Sequence, residues 1–148
     1  MNRINIICLR VRDMEESLAF YKRIGFTTYE MAENPPIVFF DNKGTKLELY
    51  PIQALAEDID AENPPEVRQG GFAGFTLAIN LKSPEEVDAF MAQVAACGGV
   101  IAKEPQKVFW GGYSGYFQDM DGYYWEVAYG PDWKFDEGDM LIIPGDTG

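Results

Sequence analysis

Two carboxylates occupy matching places in the chain, Glu48 within Lys46-Leu-Glu-Leu-Tyr50 and Glu126 within Tyr124-Trp-Glu-Val-Ala128. Each sits between apolar neighbours on an extended run. If Leu47, Leu49, Trp125 and Val127 pack into a core, both glutamates take the opposite sheet face. Carboxylates placed in this way can move a proton, hold a hard divalent cation together with water, or anchor a ligand. The chain has no histidine, so an imidazole base, proton shuttle or metal ligand is excluded.

The same strand parity points Cys8, Arg10, Lys46, Tyr50, Thr76 and Tyr124 toward the carboxylates. A carboxylate withdrawn from water must be paired, hydrogen-bonded or protonated, so Arg10 or Lys46 is expected to pair with Glu48 or Glu126. Trp110 and Tyr113 lie in the glycine-rich run Val108-Phe-Trp-Gly-Gly-Tyr-Ser-Gly-Tyr116, whose composition suits a loop closing over a flat or apolar ligand. Packing against the linker or a second subunit explains the same rings equally well. Phe20, Tyr21 and Phe90 fall on helix faces and are read as core.

The elements that must position these residues repeat about seventy residues apart. The first unit opens on Ile4-Asn-Ile-Ile-Cys-Leu-Arg-Val-Arg-Asp13, an alternating strand with Ile7, Leu9 and Val11 on one face. Asp13 and Glu16 then start a helix carrying Leu18, Tyr21 and Ile24, and Gly25 stops it. Extended pieces are predicted at about 27–32, 37–41 and 46–51. The second unit repeats the order from Gly74-Phe-Thr-Leu-Ala-Ile79. Ser83-Pro-Glu-Glu86 provides an N-cap, a proline at the first helical position and a capping glutamate, followed by Val87, Phe90, Met91 and Val94. Further strands are expected at about 100–104, 115–118 and 123–129, the last after the turn Asp119-Met-Asp-Gly122. The predicted organisation is a first unit over 1–52, an acidic linker over 53–71, a second unit over 72–131 and a tail over 132–148. In the tail, Met140-Leu-Ile-Ile143 is read as an edge strand, a cap or a contact with a partner.

Composition narrows the partners. Of 148 residues, 47% are hydrophobic, enough for a sizeable core, and the formal net charge is −12. That charge repels nucleic-acid phosphates and anionic membranes. No apolar stretch approaches the roughly 20 residues that span a bilayer, and the amino terminus lacks a basic segment followed by a long apolar one, so a cytoplasmic protein is expected. Cys8 and Cys97 have no finger or CxxC spacing and are expected to be free thiols.

Leu9-Arg-Val-Arg-Asp-Met-Glu-Glu-Ser-Leu-Ala-Phe-Tyr21, Gly25-Phe26, Leu47-Glu-Leu-Tyr50 and Asp119-Met-Asp-Gly-Tyr-Tyr-Trp-Glu126, in that order, resemble the vicinal oxygen chelate superfamily. Its members include glyoxalase I, the extradiol dioxygenases and the bleomycin and fosfomycin resistance proteins. The resemblance runs from about Ile4 to Pro131 and implies an α+β fold. Two βαβββ modules would form a curved mixed-sheet cup with helices on the convex face. It also implies a divalent ion in metal-dependent members, held from the first and last strand of each module. Those positions here are Ile6, Glu48, Gly74 and Glu126, and only the glutamates can coordinate. Extradiol chemistry, which in the family uses two histidines, is thereby excluded. A Cys8 thiolate as third ligand, or magnesium or manganese on Glu48 and Glu126 with water, remain alternatives, and no cofactor is favoured.

The reading that results is a homodimer with a degenerate metal site, whose cup binds a small organic molecule as the bleomycin resistance proteins imply. A lyase or isomerase of the glyoxalase kind, using Glu48 or Glu126 as catalytic base, is the alternative. A structural dimer without ligand is the third.

Overall fold

Alternation fixes the first strand and a carboxylate cap fixes the helix after it. The computed structural model describes residues 1–29, 32–68 and 70–145. In it β1 spans Ile6–Val11, with Leu9 and Val11 buried. Asp13 then adopts an extended conformation, and its side chain accepts a hydrogen bond from the Glu16 backbone N–H, starting α1 over Met14–Arg23. Gly25, at φ +113°, reverses the chain where a residue with a Cβ would be strained. The short β2 (Val38–Phe39) and β3 (Lys46–Pro51) complete a sheet ordered β1-β3-β2, with β1 parallel to β3 and Cys8 opposite Glu48.

Of the strand predicted over 27–32, the described residues make a bridge between Thr28 and Phe40, supported by Tyr29 N–H donating to the Phe39 carbonyl and Asp41 N–H to that of Thr27. Glu30 and Met31 lie outside the described residues. Asn34-Pro-Pro36 follows, and prolines without an N–H cannot extend a ladder.

The linker contains a helix that the sequence reading does not predict. α2 covers Ile52–Ile59 directly after β3, with Ala56 buried. Ile52, Leu55, Ala56 and Ile59 recur at helical spacing, and this stripe outweighs the acidic composition that marks the segment as a connector.

The second unit follows its expected plan. β4 (Thr76–Leu81) leads to α3 (Pro84–Ala96), capped by the Ser83 hydroxyl and opened by Pro84. β5 (Val100–Lys107), β6 (Tyr113–Gln118) and β7 (Tyr124–Tyr129) complete a sheet ordered β4-β7-β6-β5, with Ala78 opposite Glu126 across the parallel β4–β7 pair. Residues Met140–Ile143, read as an edge strand, a cap or a contact with a partner, contribute β9 (Leu141–Ile142), which pairs with β8 (Lys134–Phe135) in a separate hairpin.

Both sheets are open, and both turn their apolar face into one core. Leu9, Leu49, Trp125 and Val127 meet Phe20 and Tyr21 of α1 and Val87, Met91 and Val94 of α3. Helix α1 joins the units: the Phe20 ring lies 6.3 Å from that of Phe117, and Tyr21 lies 5.9 Å from Trp125. The Tyr21 hydroxyl donates to the buried Asp119 carboxylate and accepts from Trp125 Nε1 at 3.2 Å.

Candidate functional site

Pleating separates the two faces of each sheet as the sequence requires. On β3, Leu47 and Leu49 are buried while Lys46, Glu48 and Tyr50 lie half-buried on the other side. On β7, Trp125 and Val127 are buried and Tyr124 and Glu126 are half-buried. Each glutamate therefore occupies the face turned away from the core.

Their immediate partners are neutral. Cys8 faces Glu48 across the β1–β3 register, and that carboxylate acts on its thiol. Burial pushes the thiol from its ordinary 9.0 up to about 12, with the Glu48 charge and hydrogen bond and the Asp58 charge adding. Cys8 is thus a protonated thiol at neutral pH. Across the second sheet, the Tyr116 hydroxyl donates to Glu126 Oε2 at 3.0 Å. Partial burial, followed by that bond and the glutamate charge, holds the Tyr116 hydroxyl above its ordinary range.

The cations expected to pair with these carboxylates bond elsewhere. Arg10 Nη2 donates to the Arg68 carbonyl at 3.1 Å. Lys46 Nζ donates to the Asn42 carbonyl and lies 5.8 Å over the Tyr29 ring. Among the described residues neither glutamate joins a salt bridge. The expected Arg10 or Lys46 pairing is therefore corrected: nearby backbone carbonyls capture both long side chains at less ordering cost than a cross-sheet pair.

The aromatic candidates separate. Tyr124 stays beside Glu126 and meets Phe72 edge to face at 5.4 Å, with the exposed Thr76 opposite it in register. Tyr50 lies opposite Arg10. Trp110 stacks on Trp133 of the tail at 5.6 Å and remains 44% exposed. Tyr113 shares its sheet face with Phe117 and donates to Asp88 of α3 at 2.7 Å, so it stands opposite the Glu126 face. Tyr116, on that face, is a neighbour of Glu126 that the sequence reading does not single out. Its place opposite Glu126 follows from the antiparallel β6–β7 register across the Asp119–Gly122 turn.

The donor set does not fit the metal implied by the resemblance. Ile6 offers only hydrocarbon and Gly74 has no side chain. Among the described residues no three of His, Cys, Asp and Glu come close enough to hold an ion. Two carboxylates without nitrogen or thiolate partners fall short of a transition-metal site.

Comparison with known proteins gives a consistent result. A family model described as Glyoxalase/Bleomycin resistance protein/Dioxygenase superfamily matches residues 3–127. No protein of curated function matches the chain. Among solved structures, a glyoxalase-related enzyme from Fulvimarina pelagi superposes with a TM-score of 0.85 at 27% identity, covering 98% of this chain and 100% of that one. A glyoxalase/bleomycin resistance protein/dioxygenase from Nocardioides gives 0.72 at 25%, covering 89% and 85%. Lactoylglutathione lyase from Agrobacterium tumefaciens gives 0.65 at 24%, covering 92% and 99%, and shows the shared fold alone.

Proposed function

The chain belongs to the Glyoxalase/Bleomycin resistance protein/Dioxygenase superfamily, and from that premise we propose that it is a binding member with a degenerate metal site. Its ligand is a small organic molecule that presents a cationic or strongly donating group to Glu48 and Glu126. One observation carries this reading: among the described residues neither carboxylate joins an ion pair, the neutral Cys8 facing Glu48 and the Tyr116 hydroxyl donating to Glu126, while Arg10 and Lys46 are bonded elsewhere. A half-buried carboxylate gains most from a charge-assisted partner, and a ligand amine or amidinium supplies one. Tyr50, Tyr116, Tyr124 and Phe72 offer rings for the rest of such a molecule and for cation–π contact. The net charge of −12 steers cations toward the protein.

Exposed Ile4, Ile6, Phe72 and Phe75 flank these faces, which fits a homodimer whose cup is completed between subunits. The 27% identity to a glyoxalase-related enzyme favours a second reading, a lyase or isomerase in which Glu126 takes a proton beside the Tyr116 hydroxyl.

A thermal-shift comparison of benzamidine, benzamide and benzoate tests the proposal. Benzamidine is expected to raise Tm above the other two, and Glu48→Gln or Glu126→Gln to remove that advantage. A stoichiometric nickel, zinc, magnesium or manganese ion lost in both variants would overturn it. Turnover of a 2-hydroxythioester or its hemithioacetal precursor that Glu126→Gln abolishes would favour the enzymatic reading.

A further inference from the structure

One end of the Glu126 face is built from paired residues of falling size. The antiparallel β6–β7 register sets Tyr116 against Glu126 and Ser114 against Ala128, while Tyr113 against Tyr129 ends the ladder on the core side. Gly112 and Gly130 each lie one residue beyond their strand, and alternation places them on the Glu126 side. Along that side the pairs run from tyrosine and glutamate, through serine and alanine, to two glycines.

Tryptophans from the flanking turns fill the space above the glycines. A Cβ added at Gly112 would lie 2.0 Å from the Trp110 ring, and one at Gly130 would lie 2.5 Å from the Trp133 ring. Each indole therefore occupies the volume that a side chain at its glycine would take. The two rings stack, 5.6 Å between centroids and 19° between planes, so each holds the other in place. Ser114 is 2% exposed and Ala128 0%, although alternation turns both away from the core. Protein thus covers this end of the face up to the step of Glu126 and Tyr116, which remain half-buried. Gly130 is four residues from Glu126, about 13 Å along the strand, and Trp110 is open enough to meet a ligand.

We propose that the stacked Trp110–Trp133 pair is the specificity wall of the Glu126 site, selecting ligands whose cationic group continues into an extended flat aromatic body. The inference rests on Glu126 as the ligand's anchor and adds what the remainder of the ligand must be. The cation meets Glu126, and the body runs toward the glycine pair and lies against the indoles. A ring gains there beyond simple burial, because aromatic pairs attract through their edges and faces. Two indoles already fixed by each other lose little freedom when it arrives.

Calorimetric titrations of acetamidine, benzamidine and 4-phenylbenzamidine, with 15N NMR of the indole N–H groups, test the proposal. Affinity is expected to rise in that order, and 4-phenylbenzamidine to move the Trp110 indole resonance, identified by its loss in Trp110→Phe. Trp110→Leu should weaken 4-phenylbenzamidine about fivefold, the scale of one aromatic contact. Trp110→Phe should weaken it less, and both variants should leave acetamidine unchanged. Equal affinity for all three amidines, each lost in Glu126→Gln, would overturn the wall and leave the Glu126 anchor standing. No binding of any amidine would overturn both. A Trp110 resonance unmoved at saturation, or acetamidine weakened as much as 4-phenylbenzamidine by Trp110→Leu, would also overturn the wall.

Discussion

Replacing Tyr21 by phenylalanine isolates one hydroxyl that joins the two units. The ring remains, with its contacts to Phe20, Phe26, Phe40 and Trp125 at centroid distances of 5.2–5.9 Å. The hydrogen bonds to Asp119 Oδ2 and from Trp125 Nε1 disappear. Asp119 is 5% exposed and Trp125 3%, so water does not readily replace the lost partner. Asp119 Oδ1 keeps the backbone N–H groups of Asp121 and Tyr123, which limits the damage on that side. With about 1–3 kcal/mol for each buried polar group left unmatched, the expected loss is about 2–4 kcal/mol. For a chain of this size that lowers Tm by roughly 5–15 °C. Calorimetry with urea unfolding of Tyr21→Phe, Asp119→Asn and the double variant measures it, and the two losses should be non-additive by about 1 kcal/mol or more. A Tm within about 2 °C of wild type, or strict additivity, would refute the claim that this contact couples the units.

Asp119 also gives a pH dependence. Burial raises its carboxyl from 3.8 to about 6 against the opposing hydrogen bonds of Tyr21 and the backbone. The folded form therefore holds a proton that the unfolded form releases between about pH 4 and 6. This contribution to stability is fully present below that window and lost as pH rises through about 6. Relative to Asp119→Asn, the wild type should gain up to about 3 kcal/mol between pH 7 and pH 4 in paired urea titrations. Cys8 is expected to resist iodoacetamide at pH 8 in the native protein and to react after unfolding, as followed by peptide mass spectrometry, because its thiol titrates at about 12. Ser83→Ala removes the hydroxyl that accepts from Glu86 N–H at 3.1 Å and should cost about 1 kcal/mol by thermal unfolding.

The features legible in the sequence are those fixed by local pattern. Alternation places Glu48 and Glu126 on the faces opposite Leu49 and Val127, and the caps at Asp13 and Ser83 locate both helices. The features that escape it depend on partners distant in sequence. Arg10 and Lys46 carry charges whose destinations, the carbonyls of Arg68 and Asn42, are set by how the linker and a tight turn return to the sheet. Tyr113 reads as a loop residue as long as β6 is expected to begin at Gly115. Once the strand starts at Tyr113, alternation from the buried Phe117 commits it to the core side and commits Tyr116 to Glu126. Helix α2 is hidden by acidic residues that mark only its solvent side, since Ala56 is buried beneath them.

Glu48 and Glu126 are proposed to hold a donor-bearing ligand without a metal between them. Calorimetric titration of benzamidine into EDTA-treated protein, repeated with manganese and with nickel, tests this. Saturable binding is expected in EDTA, unchanged by either ion and lost in Glu126→Gln. Binding that appears only after one equivalent of metal has been added would contradict it.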